Sequence, residues 1–301
     1  IDVELDYNES MALVGILFAV GALIFWGFGD FFIQRATREI GIWKSLFFIC
    51  LTAVVVLLPF VWDEIGGVLH NPKGLNLLLM AGVAIFAAAL LIFESMKVGK
   101  LAIIEPILSL ELPVAVAMGV FLAHEKLNLV QILLTIVVFV GVVLAMTKHH
   151  THLHYHKRIF EKGVLYAFFG AVIMGATNFL IGVSSQETSA LLTIWFTSLM
   201  IAVFCFIYFV VKGSVGSLAG DFKKHTKAII NSSVFDNAAW ISYAFATTYI
   251  PISIATTISE SYIALAVGLG ILVNKEKVNW HQVVGIVLAV SGVILLSLTT
   301  K

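Results

Sequence analysis

Residues 101–147, LAIIEPILSLELPVAVAMGVFLAHEKLNLVQILLTIVVFVGVVLAMT, return later in the chain as residues 252–298, ISIATTISESYIALAVGLGILVNKEKVNWHQVVGIVLAVSGVILLSL. The two stretches align without a gap at an offset of 151, and 12 of the 47 positions are identical. Ile103, Ile107, Ala115, Val116, Gly119, Glu125, Lys126, Asn128, Gln131, Gly141, Val142 and Leu144 each meet their own kind. Both copies read as a long apolar helix, a Glu-Lys-x-Asn turn (Glu125–Asn128, Glu276–Asn279) and a second apolar helix with a late glycine. A period of half the chain, built from membrane-length segments, marks a transporter assembled from internal repeats.

Composition agrees. The chain has 301 residues, of which 60% are hydrophobic and 12% charged, with a mean hydropathy of +1.03. A soluble domain carries about 25% charged residues, so this chain cannot present an ordinary water-facing surface. Lysine plus arginine and aspartate plus glutamate both number 18, which gives no nucleic-acid signal. Cys50 and Cys205 sit inside apolar segments and read as small core residues.

Roughly 20 apolar residues cross a bilayer, which predicts ten helices near 11–36, 42–62, 75–97, 101–122, 129–147, 159–184, 188–212, 228–249, 252–273 and 279–299. Residues 1–10 are acidic, precede Met11, and are set aside as a tail. The breaks carry the charge: 63–73, the pair Lys97 and Lys100, the basic His-rich run 148–158, and 212–227. Pro251 suits the start of the ninth helix. Only helices satisfy every backbone polar group in lipid by local bonding of this kind. The expected organisation is therefore a first repeat over 11–147, the loop 148–158, and a second repeat over 159–301.

Gly27-x-x-Asp30-Phe31-x-Ile33 meets Gly175-x-x-Asn178-Phe179-x-Ile181 at an offset of 148, which extends the repeat to the first helix of each half. Each half then has five helices. An odd number forces the second half to enter the membrane inverted, with a central cavity between the halves. Fifteen lysines and arginines fall on one side of these spans and three (Lys73, Lys126 and Lys301) on the other. That count puts the first side in the cytoplasm and both termini outside.

Asp30, Glu105, Glu111 and Glu260 fall well inside predicted spans. Each buried carboxylate costs about 2.5–3.5 kcal/mol on insertion scales, so these positions are functional candidates. Helical spacing groups them with polar and aromatic neighbours. Ser253, Thr256, Thr257, Glu260 and Ser261 form one stripe, which Glu105 and Ser109 match by the 151 offset. Trp26, Asp30 and Gln34 form a second stripe, Gly170, Met174, Asn178 and Gly182 a third, and Asp236, Trp240, Tyr243 and Thr247 a fourth. Repeat-related polar stripes predict a shared cavity; the alternative is hydrogen-bond glue between helices.

Glu105 precedes Pro106, whose ring kinks a helix and restrains the residue before it. Trp26, Trp240 and Tyr243 offer an aromatic wall, suited to a cation. Glu94 and Lys97 read as a local ion pair, and Glu125 and Glu276 as structural acids paired with adjacent lysines. Five histidines between His149 and His156 offer imidazoles for a metal, without the Cys or carboxylate partners of a defined site. No Walker A, H-E-x-x-H or Gly-x-Ser-x-Gly pattern is present. The sequence therefore predicts no enzyme and no cofactor.

Phe25-Trp26-Gly27 in the first helix, Leu110-Glu111-Leu112-Pro113 in the fourth and the two Glu-Lys turns resemble the EamA family of the drug/metabolite transporter superfamily. The resemblance runs from Met11 to the end as two EamA repeats. It implies an all-α, ten-span secondary transporter in the cell (inner) membrane, exporting small metabolites such as amino acids between two inverted halves. Two features depart from the family. Ala264 stands where the first copy has Pro113, and better-known members keep both termini in the cytoplasm, opposite to the charge count.

The combined expectation places substrate against Trp26, Asp30, Glu105, Ser109, Asn178, Trp240, Tyr243, Thr256 and Glu260. Acid-rich walls favour a cationic or zwitterionic amine, with a coupling proton as partner. A divalent-cation carrier using the His run, or a flippase for lipid-linked substrates, are the competing readings. Monomer and homodimer both remain open.

Overall fold

The computed structural model describes residues 2–68, 70–98, 108, 110–146, 162–262 and 280–299. Among them lie ten α-helices and no strand: α1 (Asp2–Ile40), α2 (Ile42–Val68), α3 (Pro72–Val98), α4 (Glu111–Leu122), α5 (Leu129–Met146), α6 (Lys162–Glu187), α7 (Ala190–Val211), α8 (Leu218–Tyr249), α9 (Ile252–Ser259) and α10 (Trp280–Thr299). Five contain segments long and apolar enough to cross a membrane: Met11–Gly29, Ile42–Val68, Pro72–Ser95, Leu165–Glu187 and Ala190–Val211. Large apolar side chains such as Phe60, Trp62, Phe121 and Val211 face outward. An outer shell of this kind is what lipid, not water, accommodates.

The helices pack mainly across the halves, and the contacts come in reciprocal pairs. The α1–α8 contact mirrors α6–α3, α4–α6 mirrors α9–α1, and α2–α7 and α5–α10 pair equivalent helices. Along α1 and α8 the chains run antiparallel: Phe18 stacks on Phe245 and Tyr249, Phe32 meets Phe235, and Glu39 meets His225. Small residues permit the close approaches. A Cβ on Gly175 would lie 2.6 Å from the Glu111 carbonyl oxygen, and one on Gly292 would lie 2.7 Å from Val138. Between helices, Trp195 donates to the Val54 carbonyl (3.1 Å) and Asn237 to the Ile49 carbonyl (3.0 Å).

Several boundaries differ from the sequence reading. Residues 2–10, set aside as a tail, continue α1 as helix. Asp63, Glu64, Gly66 and Gly67, read as a break, remain helical because α2 continues to Val68. The break at 212–227 is largely helix as well. Leu218 is buried while Lys223 and Lys224 are exposed, so this start of α8 is amphipathic and too polar to register as a span. Lys44 pairs with Asp221 and Glu39 with His225, where the helix kinks at φ −118° and ψ 26°.

The predicted helix 101–122 is described only from Leu108, and after a turn at Leu110 α4 begins at Glu111. Pro113 thereby falls in the first turn, where its missing N–H costs nothing. The ninth predicted helix, 252–273, stops at Ser259 in a turn through Glu260 and Ser261. The helix end tightens there, Ser261 N–H donating to the Ile258 carbonyl at 3.2 Å.

Candidate functional site: a buried polar cluster inside an aromatic wall

The turn that ends α9 sits where α1, α6 and α8 converge. Four helices bring six of the predicted residues together. The Asn178 amide on α6 donates from Nδ2 to Glu260 Oε1 at 3.0 Å. Tyr243 on α8 donates its hydroxyl proton to the Asn178 backbone carbonyl at 2.8 Å. A phenol has one proton to give, so at the 2.8 Å contact between Tyr243 and Thr256 the threonine is the donor. Trp26 meets Trp240 edge-on with ring centres 5.1 Å apart, and lies 5.8 Å from the Tyr243 ring. Asn178, Tyr243 and Thr256 are fully buried, and Glu260 and Trp26 nearly so.

Because Asn178 Nδ2 is committed to Glu260, the amide orientation is fixed and Oδ1 points elsewhere. Asn178 Oδ1 is buried and has no hydrogen-bond partner among the described residues. A buried acceptor left without a donor costs about 1–3 kcal/mol. Beside it, the Glu260 carboxyl supplies further acceptor capacity. An acceptor without a donor, beside an acid and under aromatic faces, makes an environment suited to an N–H group.

Tyr262 completes the wall, its ring 6.1 Å from Trp26, and the sequence reading did not select it. On a continuous helix, position 262 would point about 200° away from 260. The turn at Glu260–Ser261 brings it round instead.

The remaining candidates divide in two. Asp30 lies on α1 one turn beyond Trp26, with its side chain outside the described residues, as are Glu105, Ser109 and the His run. Others in the stripes serve elsewhere. Thr257 and Ser261 donate to backbone carbonyls four residues back in their own chain segment, and Thr247 to that of Ala244. Among the described cluster residues, Trp26, Asn178, Tyr243, Thr256 and Glu260 are buried, and Trp240 and Tyr262 partly so. A groove of about 540 Å³ lies between α2 and the start of α8, lined by Phe47, Leu51, Val55 and Phe222. Among the described residues no three His, Cys, Asp or Glu side chains come together as a metal site.

Glu125 differs from its predicted role. Both of its carboxylate oxygens are taken by the N-terminus of α9 in the other half, not by the adjacent lysine.

A solved crystal structure is similar to this chain over 97% of its length and 98% of that protein's, with a TM-score of 0.73 at 14% identity. That likeness establishes the helical fold. An uncharacterized protein of Methanocaldococcus jannaschii is 21% identical over 136 residues, 45% of this chain and 96% of its own. The profile of the EamA-like transporter family matches twice, at residues 13–147 and 161–298, which together span nearly the whole chain. This multi-pass membrane protein therefore belongs to the EamA-like transporter family, whose members are membrane transporters of the drug/metabolite type.

Proposed function

We propose that the chain is a secondary active exporter of small metabolites, specifically amino acids or other cationic or zwitterionic amines, in the cell membrane. Ten spans, divided at the loop 148–158 into halves of opposite orientation, would carry it by alternating access. The reciprocal pairing of helices across the halves supports that arrangement.

The carrying observation is the unfilled acceptor Asn178 Oδ1 beside Glu260, enclosed by Trp26, Trp240, Tyr243 and Tyr262. An ammonium group supplies the missing N–H donor to Asn178 Oδ1, while the rings hold it by cation–π attraction. Asp30, Glu105 and Ser109 extend the same site, and a protonated Glu260 releases its coupling proton to water as the ammonium binds.

A thermal-shift screen of amino acids and amines on purified protein tests the reading. Amine-bearing ligands should raise the melting temperature of the wild type, and Glu260→Gln should abolish that rise. An unchanged rise in the variant removes Glu260 from the site. Stabilisation only by divalent metals would replace the amine reading with a metal carrier.

A further inference from the structure

α9 begins without a cap of its own. Pro251 occupies its N-cap position and offers no side-chain acceptor, so the N–H groups of Ile252 and Ser253 need partners from elsewhere. Glu125, 127 residues earlier and in the other half, supplies them. Its Oε1 accepts from Ile252 N–H at 2.5 Å and its Oε2 from Ser253 N–H at 3.0 Å, and Ser253 Oγ donates to Oε2 as well. A carboxylate at a helix N-terminus also meets the positive end of the helix dipole.

The turn is shaped for this reach. The end of α4 loosens, with Ala123 N–H donating to Met118 five residues back, and His124 reverses the chain at φ +54°. Glu125 N–H then donates to the Gly119 carbonyl at 3.2 Å. A Cβ on Gly119 would stand 2.3 Å from Ser253 Oγ and 2.5 Å from Glu125 Oε2. Only glycine leaves room there.

Position gives the contact its consequence. It lies at the end of the bundle opposite Lys44–Asp221 and Glu39–His225, at the same end as Gln186 and the Lys73–Glu187 pair. The eight-residue rod Ile252–Ser259 leads from it to Glu260, about 12 Å along the helix axis. One short helix thus joins a surface contact to Thr256 and Glu260 in the cluster. Glu125 is only half-buried and its neighbours His124 and Lys126 are exposed, so water can replace each of its hydrogen bonds on release.

We propose that Glu125 is a gate residue. Its carboxylate latches α9 to the α4–α5 turn and closes this end of the carrier, and release lets the rod swing and open the cluster to that side. The inference deepens the transporter reading and rests on it.

Spin labels at Lys126→Cys on the turn, which is exposed, and Pro251→Cys at the head of α9, which is half-buried, report the gate in lipid nanodiscs; Cys50 and Cys205 are buried and stay unlabelled. Double electron–electron resonance should show one short distance with Glu125 intact. Glu125→Ala should raise a longer-distance population about tenfold, and Glu125→Gln, which keeps one acceptor oxygen, by less. If the alanine variant does not insert, the glutamine variant decides by the same readout. A lowered melting temperature with an unchanged distance distribution makes the contact a static staple and overturns the gate. The distances need no substrate. An unmoved distribution with Glu260-dependent amine binding intact sinks the latch alone, whereas a moved distribution without any amine binding sinks the substrate reading alone.

Discussion

The α4–α5 turn and the central cluster relate to the internal repeat in opposite ways. In the turn, Gly119, Glu125, Asn128 and Gln131 return unchanged as Gly270, Glu276, Asn279 and Gln282. In the cluster, Asn178 corresponds to Asp30, Thr256 to Glu105, Glu260 to Ser109 and Trp26 to Met174. The repeated residues serve the backbone. Asn128 and Gln131 cap α5 reciprocally, each side chain accepting from the other's N–H at 2.8 and 3.0 Å. Glu125 caps α9. A backbone has the same needs in both halves, so its servants recur. In the proposed reading the cluster instead faces one solute, and a solute without two-fold symmetry would be held by groups that differ from one half to the other.

The hardest blow to the shared scaffold should come at a close helix approach. Gly175→Ala puts a methyl 2.6 Å from a backbone carbonyl that cannot rotate away, and should cost about 3 kcal/mol of stability in detergent denaturation. Gly66→Ala, with nothing within 4 Å of the added carbon, is the steric control and should be neutral or stabilising by up to about 1 kcal/mol.

Within the cluster, Tyr243→Phe removes the second donor on the Asn178 carbonyl, which keeps its bond within α6, and leaves the buried Thr256 hydroxyl without its acceptor. A loss of about 2 kcal/mol is expected in the same assay. A cost near zero would mean that the polar chain is not what orders these helices.

Asn128→Ala should cost about 1 kcal/mol through its lost cap. Asn279→Ala should cost the same, since the repeat assigns it the same task. Unequal losses in paired melts would break the rule that repeated residues do repeated work.

The smallest effect belongs to the polar rim, where the hydrogen bond from Lys44 holds the Asp221 carboxyl below the usual carboxylate range. A lowered folded value gives stability that is present above the ordinary pKa and lost as pH falls through the lowered one. The pair is partly exposed, so about 0.5 kcal/mol is at stake. Acid titration of the melting temperature should flatten in Lys44→Met.

Most of the helices were legible because hydrophobic runs and the 151-residue offset report membrane length and symmetry directly. The stripes on α1, α6, α8 and α9 also placed Trp26, Asn178, Trp240, Tyr243, Thr256 and Glu260 on facing sides, and the structure brings them together. Tyr262 escaped because periodicity assumes a continuous helix and the turn at Glu260–Ser261 interrupts it. Glu125 escaped because its partner is distant in sequence and consists of backbone N–H groups, which leave no side-chain signature. The start of α8 escaped because its amphipathic turns are too polar for a hydropathy window.

The pairing of helices has a consequence for biosynthesis. α3 finds its chief partner in α6, α2 in α7 and α1 in α8, an order nested like brackets, so the first helix made is the last of the three to be matched. While the ribosome is still translating α7, α1 must wait in the bilayer with its companion face bare. A chain halted before α8 would display that orphaned surface to the proteases and chaperones that patrol nascent membrane proteins, whereas a finished one would hide it.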